Sequence, residues 1–415
     1  MLALLRPVWA LLLGIVLLMA GNGLLSSLLG LRGSIEGFSS TVMGGLMSGY
    51  YIGFLASSLL TPRGVRSVGH IRIFAALAAM ATVAAILAAL FVYPAVWLLS
   101  RIISGFCYAG LYVVAESWIN DRSSNETRGR LFSVYMLTQY AGLIGGQGLL
   151  NLFSPAGFES FSLVALLISI AVVPTLLTAK QAPAVAAPRH VGLRQLYRIS
   201  PLGTIGTLAI GMAQSAFFSM GAIFGHRIGL STEQVSLFLI AAILGGATLQ
   251  WPIGRLSDKF DRRRLLTVAA FASTVLAVVA MFAASFSLPV LIIAAFLFAG
   301  TSMPLYSLCV AHTNDFLKPE QMVAASGTLI LLYGIGAIGG PFTNGVLMEW
   351  LGPRAYWGYL AVGFLFLALF ALYRMTRRPS PRPEAQTKVV AVPENAAPGV
   401  ASLPPDSPAT DAPKA

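Results

Sequence analysis

Residues 233–286 read EQVSLFLIAAILGGATLQWPIGRLSDKFDRRRLLTVAAFASTVLAVVAMFAASF. Two long apolar runs flank a short turn crowded with Arg255, Lys259, Arg262, Arg263 and Arg264. Each run has the length of a helix that crosses a bilayer, which takes about 20 predominantly apolar residues. The runs are continuous, rich in Leu, Ala and Ile, and free of period-two alternation, so helices are expected rather than barrel strands. A helix also satisfies its own backbone hydrogen bonds, as lipid demands.

The same alternation of apolar run and basic turn extends in both directions. Spans are expected near 7–30, 38–60, 73–92, 94–118, 131–152 and 158–179, and again near 203–225, 233–254, 265–286, 288–312, 322–345 and 355–374. Charged residues make up 10% of the chain and hydrophobic ones 57%, against about 25% charged in ordinary soluble domains. The chain is expected to use the lipid bilayer as its solvent. Arg6, with Ala20 and Gly21 further on, gives the start the look of a secretory signal, but the apolar run continues to about Leu29 and is read as the first span, left in place.

Arginine and lysine set the expected orientation. Alternate loops hold Arg63, Arg66, Arg72, Arg122, Arg128, Arg130, Arg194, Arg198, the 255–264 cluster, Lys318 and Arg374, whereas the opposite loops hold Arg32, Arg227 and Arg354. Positive loops stay in the cytoplasm, so both termini are placed there. The formal charge of +12 is thereby a topology signal, and no nucleic-acid partner is expected. Cys107 and Cys309 fall inside spans and read as packing residues. Asn125 opens a glycosylation-like triplet on the cytoplasmic side and is discounted.

An internal repeat relates the two halves. Leu111-Tyr112 recurs as Leu305-Tyr306, Asn120-Asp121 as Asn314-Asp315, Glu126 as Glu320, and Gly142 and Gly146 as Gly336 and Gly340, all 194 residues apart. The expected layout is a six-helix bundle over 1–179, a cytoplasmic linker over 180–202 read as a plain tether, with a short amphipathic helix at 192–199 as the alternative, a second bundle over 203–378, and a tail over 379–415. Parallel six-helix repeats are a transporter plan whose site lies between the halves at mid-membrane. The tail holds nine prolines and no aromatic residue and is expected to be disordered.

The turn Gly254-Arg255-Leu256-Ser257-Asp258-Lys259-Phe260-Asp261-Arg262-Arg263-Arg264 resembles the signature loop of the major facilitator superfamily, with Asp261 in place of its second glycine. The resemblance covers about 1–378 and implies twelve transmembrane helices in two six-helix pseudo-repeats, an all-α membrane protein. It also implies a gating role for Gly254, Asp258, Lys259, Arg262, Arg263 and Arg264; pure topology enforcement is the plain alternative. In the first half Gly69 and Arg72 hold the expected places of a degraded copy, but Arg66 stands where the aspartate should be. Arg101 with Gly105 resembles the superfamily's fourth-span motif, whose arginine is associated with proton transfer in proton-coupled members. Glu116 to Asp121, Glu126 to Arg130, Val68 to Arg72 and Val310 to Asp315 are similar to the YcaD-like bacterial branch.

An arginine inside a span costs about 2.5–3.5 kcal/mol on insertion scales unless it faces a cavity or a partner. Helical spacing sets Arg101, Gly105, Tyr108, Tyr112 and Glu116 on one stripe, read as facing water or substrate; the alternative has Glu116 bound to Arg128 or Arg130 at the surface. Polar residues within spans are further candidates for the pathway: Asn22, Gln139 and Gln214 first, then Gln147, Gln250 and Asn344. Gly142 with Gly146 and Gly336 with Gly340-Pro341 resemble small-residue packing motifs; the second resembles an antiporter motif placed in the other half. The function expected is a monomeric, proton-coupled secondary transporter of a small organic solute, without cofactor or metal. A drug or metabolite efflux antiporter and a non-transporting sensor on the same fold are the alternatives. An enzyme is not expected, since no carboxylate pair, metal cluster or nucleophile with its base stands out.

Overall fold

In the computed structural model the described residues are 8–124, 127–178 and 191–377. Residues 1–7 with Arg6, residue 179 of the first bundle, linker residues 180–190, Asn125, Glu126, residue 378 and the 379–415 tail lie outside them. The first half contributes α1 (Trp9–Ile35), α2 (Ser40–Val68), α3 (His70–Leu90), α4 (Pro94–Asp121), α5 (Arg128–Leu149) and α6 (Glu159–Thr178). A seven-residue helix, α7 (Leu193–Ile199), then leads into α8 (Pro201–Arg227), α9 (Thr232–Lys259), α10 (Arg262–Ala283), α11 (Leu288–Ser302), α12 (Pro304–Asn314), α13 (Pro319–Leu351) and α14 (Ala355–Arg377). Helices α11 and α12 form one span, interrupted at Met303. Pro304 has no amide to donate to the preceding turn, and its ring crowds it, so the helix breaks there. A single unbroken run over 288–312 is therefore corrected to two segments.

Among the described residues eleven spans are long and apolar enough on their own to cross a bilayer. The twelfth, α5, has the length but is more polar, and its Thr138, Gln139 and Gln147 are buried. Several helices outrun their hydrophobic stretch. The second continues to Val68 rather than 60, and the eighth to Lys259 rather than 254. Hydropathy marks the lipid, but a helix can carry its own hydrogen bonds on into water, with arginines along its last turn.

The turns repeat between halves. Gly37 (φ 76°) and Gly229 (φ 84°), 192 residues apart, each adopt the left-handed conformation that glycine takes without strain. Two residues later Ser39 and Ser231 cap α2 and α9, each hydroxyl accepting from a first-turn amide, Val42 and Gln234 respectively.

Packing follows the repeat. Helix α1 lies against α5 and α6, α2 against α4, and α3 against α4 and α6; in the second set α8 lies against α13 and α14, α9 against α11, and α10 against α11 and α14. Across the divide α2 packs on α13, α1 on α8, and α5 on α9. One end of the molecule carries the basic turns α2–α3, α4–α5 and α9–α10. At the other end the two sets are clasped together. Ser40 N donates to Glu349 Oε2 at 2.7 Å, Arg227 reaches Glu349 at 3.9 Å, and Arg227 Nη2 donates to the carbonyl of Phe38 at 3.4 Å.

Candidate functional site

Where α1, α2, α4 and α5 face α8, α9, the α11–α12 break and α13, a cavity of about 170 Å3 remains between the two sets. Its wall from the first set holds Asn22, Tyr50, Tyr51, Phe54, Arg101, Met136, Gln139, Tyr140 and Gln147; the second set contributes Phe218, Ser219, Leu239, Ile243, Gln250, Met303 and Tyr333. Two hydrogen bonds cross the cavity between the sets, Tyr140 OH donating to Gln250 Oε1 at 2.8 Å and Tyr51 OH meeting Ser219 Oγ at 3.4 Å. A third, from Ser236 Oγ to the carbonyl of Gln147 at 2.6 Å, lies toward the clasped end.

Arg101 is the cavity's cation. It stands seven residues into α4 from the clasped end and is 2% exposed. Its guanidinium carbon sits 4.6 Å from the centre of the Tyr50 ring, within cation–π range. The local pattern explains this meeting. A methyl group on Gly105 would land on the Tyr50 carbonyl, so only glycine lets α2 approach α4 closely enough to lay the Tyr50 ring against Arg101. The arginine and the glycine one turn later are two parts of one device.

The other candidates separate. Asn22 lies in the cavity wall, its amide 3.3 Å from the hydroxyls of both Tyr50 and Tyr112. Gln139 lines the cavity, as do Gln147 and Gln250. Tyr112 is buried behind the wall with its hydroxyl 3.4 Å from Met19 Sδ, and Tyr108 packs 6.4 Å from it. Glu116 is buried near the basic end, where Tyr135 OH donates to it at 3.4 Å; it is not among the residues that line the cavity. The stripe therefore turns one face to the cavity at Arg101 and sinks into the first bundle from Tyr108 onward. Gln214 stands 192 residues from Asn22 but does another job: it donates to the carbonyl of Ser302 at 2.9 Å, bracing the α11–α12 break. Asn344 donates to the carbonyl of Tyr356. Tyr50, Tyr51, Phe218, Met303 and Tyr333 escaped the sequence reading, since aromatic and sulfur side chains do not stand out within apolar spans. The adjacent phenols of Tyr50-Tyr51, two polar tips in mid-span, were the available signal.

The glycine pairs hold helices together within each half. A methyl on Gly142 or Gly146 would strike the α1 backbone at Val16 and Ala20, and one on Gly336 or Gly340 the α8 backbone at Leu208 and Met212. The carbonyl of Pro341 lies against Gly44 of α2, so that position touches the opposite set.

In the basic turn the tight ion pair of Arg262 is with Asp315 rather than with Asp258. Arg262 is 1% exposed, donates through Nη1 to Asp315 Oδ2 at 2.7 Å and through Nε to Ser257 Oγ at 3.0 Å, while Asp258 lies 4.0 Å away and 36% exposed. Asp261, in the glycine position of the superfamily's loop, caps α10 by accepting from the amide of Arg263. This accounts for the substitution: an aspartate at a helix N-terminus satisfies a free amide and complements the helix dipole. Arg263 is buried and lies 3.7 Å from Asp261. Gly254 and Lys259 fall in the last turns of α9, and Arg264 is exposed on α10. In the first set Gly69, with φ 96°, opens α3 and Arg72 is exposed. His70 stands 192 residues before Arg262 and takes its place, 3.1 Å from Ser117 Oγ and stacked on Trp118. Arg66 bonds back to its own helix at the carbonyl of Pro62.

The family model of the Major Facilitator Superfamily matches residues 11–305 and 203–404. The chain belongs to the major facilitator superfamily. It is a multi-pass membrane protein of that transporter fold. Among curated relatives it is 26% identical over 367 residues to the uncharacterized MFS-type transporter YcaD of Escherichia fergusonii, covering 88% of this chain and 95% of that one. The Escherichia coli YcaD is 27% identical over 371 residues, with the same coverage. Among solved structures the nucleoside transporter NupG superposes with a TM-score of 0.76 at 15% identity, over 89% of this chain and 99% of NupG. A D-xylose–proton symporter gives 0.71 at 13% identity, over 91% and 98%. At these identities the solved structures speak to the fold.

Proposed function

We propose that this member of the superfamily is a secondary carrier of the bacterial inner membrane that moves a small organic solute by alternating access, with protons as the coupling ion. The observation that carries the reading is the cavity, walled by both six-helix sets and holding a buried guanidinium among amides and phenols. A site shared between two sets can open to either face when one set rocks against the other. The segments 1–179 and 203–378 are the rocking units and 180–202 joins them; one chain suffices. The basic turns gather at one end, and positive loops remain inside, so that end and both termini are cytoplasmic. The clasp of Ser40, Glu349 and Arg227 then closes the outer face. The likeness to a nucleoside transporter and a D-xylose–proton symporter supports a small cargo and a proton.

Glu116 is the group we assign to the proton. An arginine keeps its charge at any physiological pH, whereas a buried carboxylate can exist in either state. Fifteen residues separate Glu116 from Arg101, about 22 Å of helical rise, so the two act at different levels of α4. The test uses proteoliposomes with a pH-sensitive dye trapped inside, challenged with panels of sugars, nucleosides, amino acids and organic acids. A transported solute is expected to acidify the lumen with wild-type protein and to leave the dye unchanged with Glu116→Gln. Transport without any dye response, or an equal response from the variant, would overturn proton coupling through this residue.

A further inference from the structure

We infer that the solute is a monocarboxylate, its acid group seated on Arg101 and an apolar body against the second bundle. This rests on the carrier reading and names its cargo. Arg101 lines the cavity at 2% exposure, and its Nε and Nη1 meet no acceptor. The ionisable groups that act on it are the phenols of Tyr50, Tyr51 and Tyr108, which are neutral near pH 7. Glu116 is too far along the helix to answer it. Among the described residues that line the cavity there is no Asp, Glu, Lys or second Arg, so the site carries a single fixed positive charge. A buried cation of this kind is stable when an anion meets it, and a guanidinium's planar fork fits the two oxygens of a carboxylate.

The wall's unpartnered atoms point the same way. Besides Arg101, the described lining residue with a buried polar atom lacking a partner is Gln139, through Nε2. Both are donors. A carboxylate offers acceptors to both. Across the cavity Phe218, Leu239, Ile243 and Met303 form an apolar face, which suits a hydrocarbon or aromatic body rather than a second charge.

The test is a thermal-shift titration of the purified full-length protein in detergent with benzoate, phenylacetate and indole-3-acetate, each against its primary amide. The amides keep shape and lose charge. At least one acid is expected to bind about tenfold or more tightly than its amide. Arg101→Gln should erase that preference. Arg101→Lys should retain a weakened preference, since a point charge remains but the fork is lost. No acid bound better than its amide, or an undiminished preference in Arg101→Gln, would overturn the inference. Should Arg101→Gln fail to fold, the wild-type comparison and Arg101→Lys still decide. An acid that binds but never crosses a liposome membrane sinks the carrier reading alone. A solute that crosses while acids and amides bind alike sinks this inference alone.

Discussion

At the scale of single residues the basic turn offers the sharpest contrast, because two aspartates compete for one arginine. Asp315 has side-chain exposure of 1%, as does Arg262, and they meet at 2.7 Å; Asp258 is 36% exposed at 4.0 Å. Removing one member of a buried pair strands the other charge out of water, at a cost of about 3–5 kcal/mol. An exposed pair is worth about 1 kcal/mol or less. Arg262→Ala and Asp315→Asn should therefore lower the melting temperature in detergent well below wild type, and Asp258→Asn should barely move it. A double replacement, Arg262→Met with Asp315→Leu, should recover most of the loss. If Asp258→Asn proved as damaging as Asp315→Asn, the assignment of the ion pair would be wrong. The repeat would have nominated Asp315 from the sequence, since Asn120-Asp121 returns as Asn314-Asp315. Asp258 lies nearer to Arg262 in the chain, and proximity along a helix end says little about which helix folds back beside it.

At the scale of elements, neighbouring glycines in α5 provide their own control. A methyl group at Gly146 would strike the carbonyl of Ala20 in α1, whereas one at Gly145 meets nothing within 4 Å. Gly146→Ala must push two backbones apart, at about 1–3 kcal/mol; Gly145→Ala should be neutral within about 0.5 kcal/mol. Thermal unfolding of the two variants side by side checks this, and equal melting temperatures would remove the close α1–α5 approach. The elements themselves were largely readable, because lipid forces a long apolar run wherever a helix crosses. Helix α5 shows the limit: Gln139, Tyr140 and Gln147 dilute its apolar character because they serve the cavity. The break at Pro304 and the extensions to Val68 and Lys259 needed the structure, since hydropathy records contact with lipid and not the helical path. For the site, polarity within a span singled out Asn22, Arg101, Gln139, Gln147 and Gln250 as cavity candidates, and all line it. The same criterion also chose Glu116, Gln214 and Asn344, which lie outside the lining and bond Tyr135, the carbonyl of Ser302 and the carbonyl of Tyr356. A polar side chain in a membrane needs a partner, and one sequence does not say whether that partner is a solute, a water or another helix.

At the scale of the whole molecule the question is whether the two sets move against each other. The clasped end joins α2 to α13 through Ser40 and Glu349, and close by Gly45 faces the ring of Phe342. A cysteine pair at Gly45 and Phe342 would fix that end shut. Native Cys107 and Cys309 are fully buried and do not line the cavity, so they should not compete. A third cysteine at Ser26, in the cavity wall, reports access to a membrane-impermeant maleimide. Before oxidation, Ser26→Cys should be labelled from either side, in right-side-out and in inside-out vesicles, because alternating access exposes one site to both faces in turn. After cross-linking, labelling should persist in inside-out vesicles and vanish in right-side-out ones, and dithiothreitol should restore it. This readout needs no knowledge of the cargo and tests orientation and motion together. Labelling confined to right-side-out vesicles after the lock would invert the topology argued from the arginines. Labelling that ignores a complete cross-link would mean that the cavity is reached without the bundles parting, and the rocking mechanism would fall.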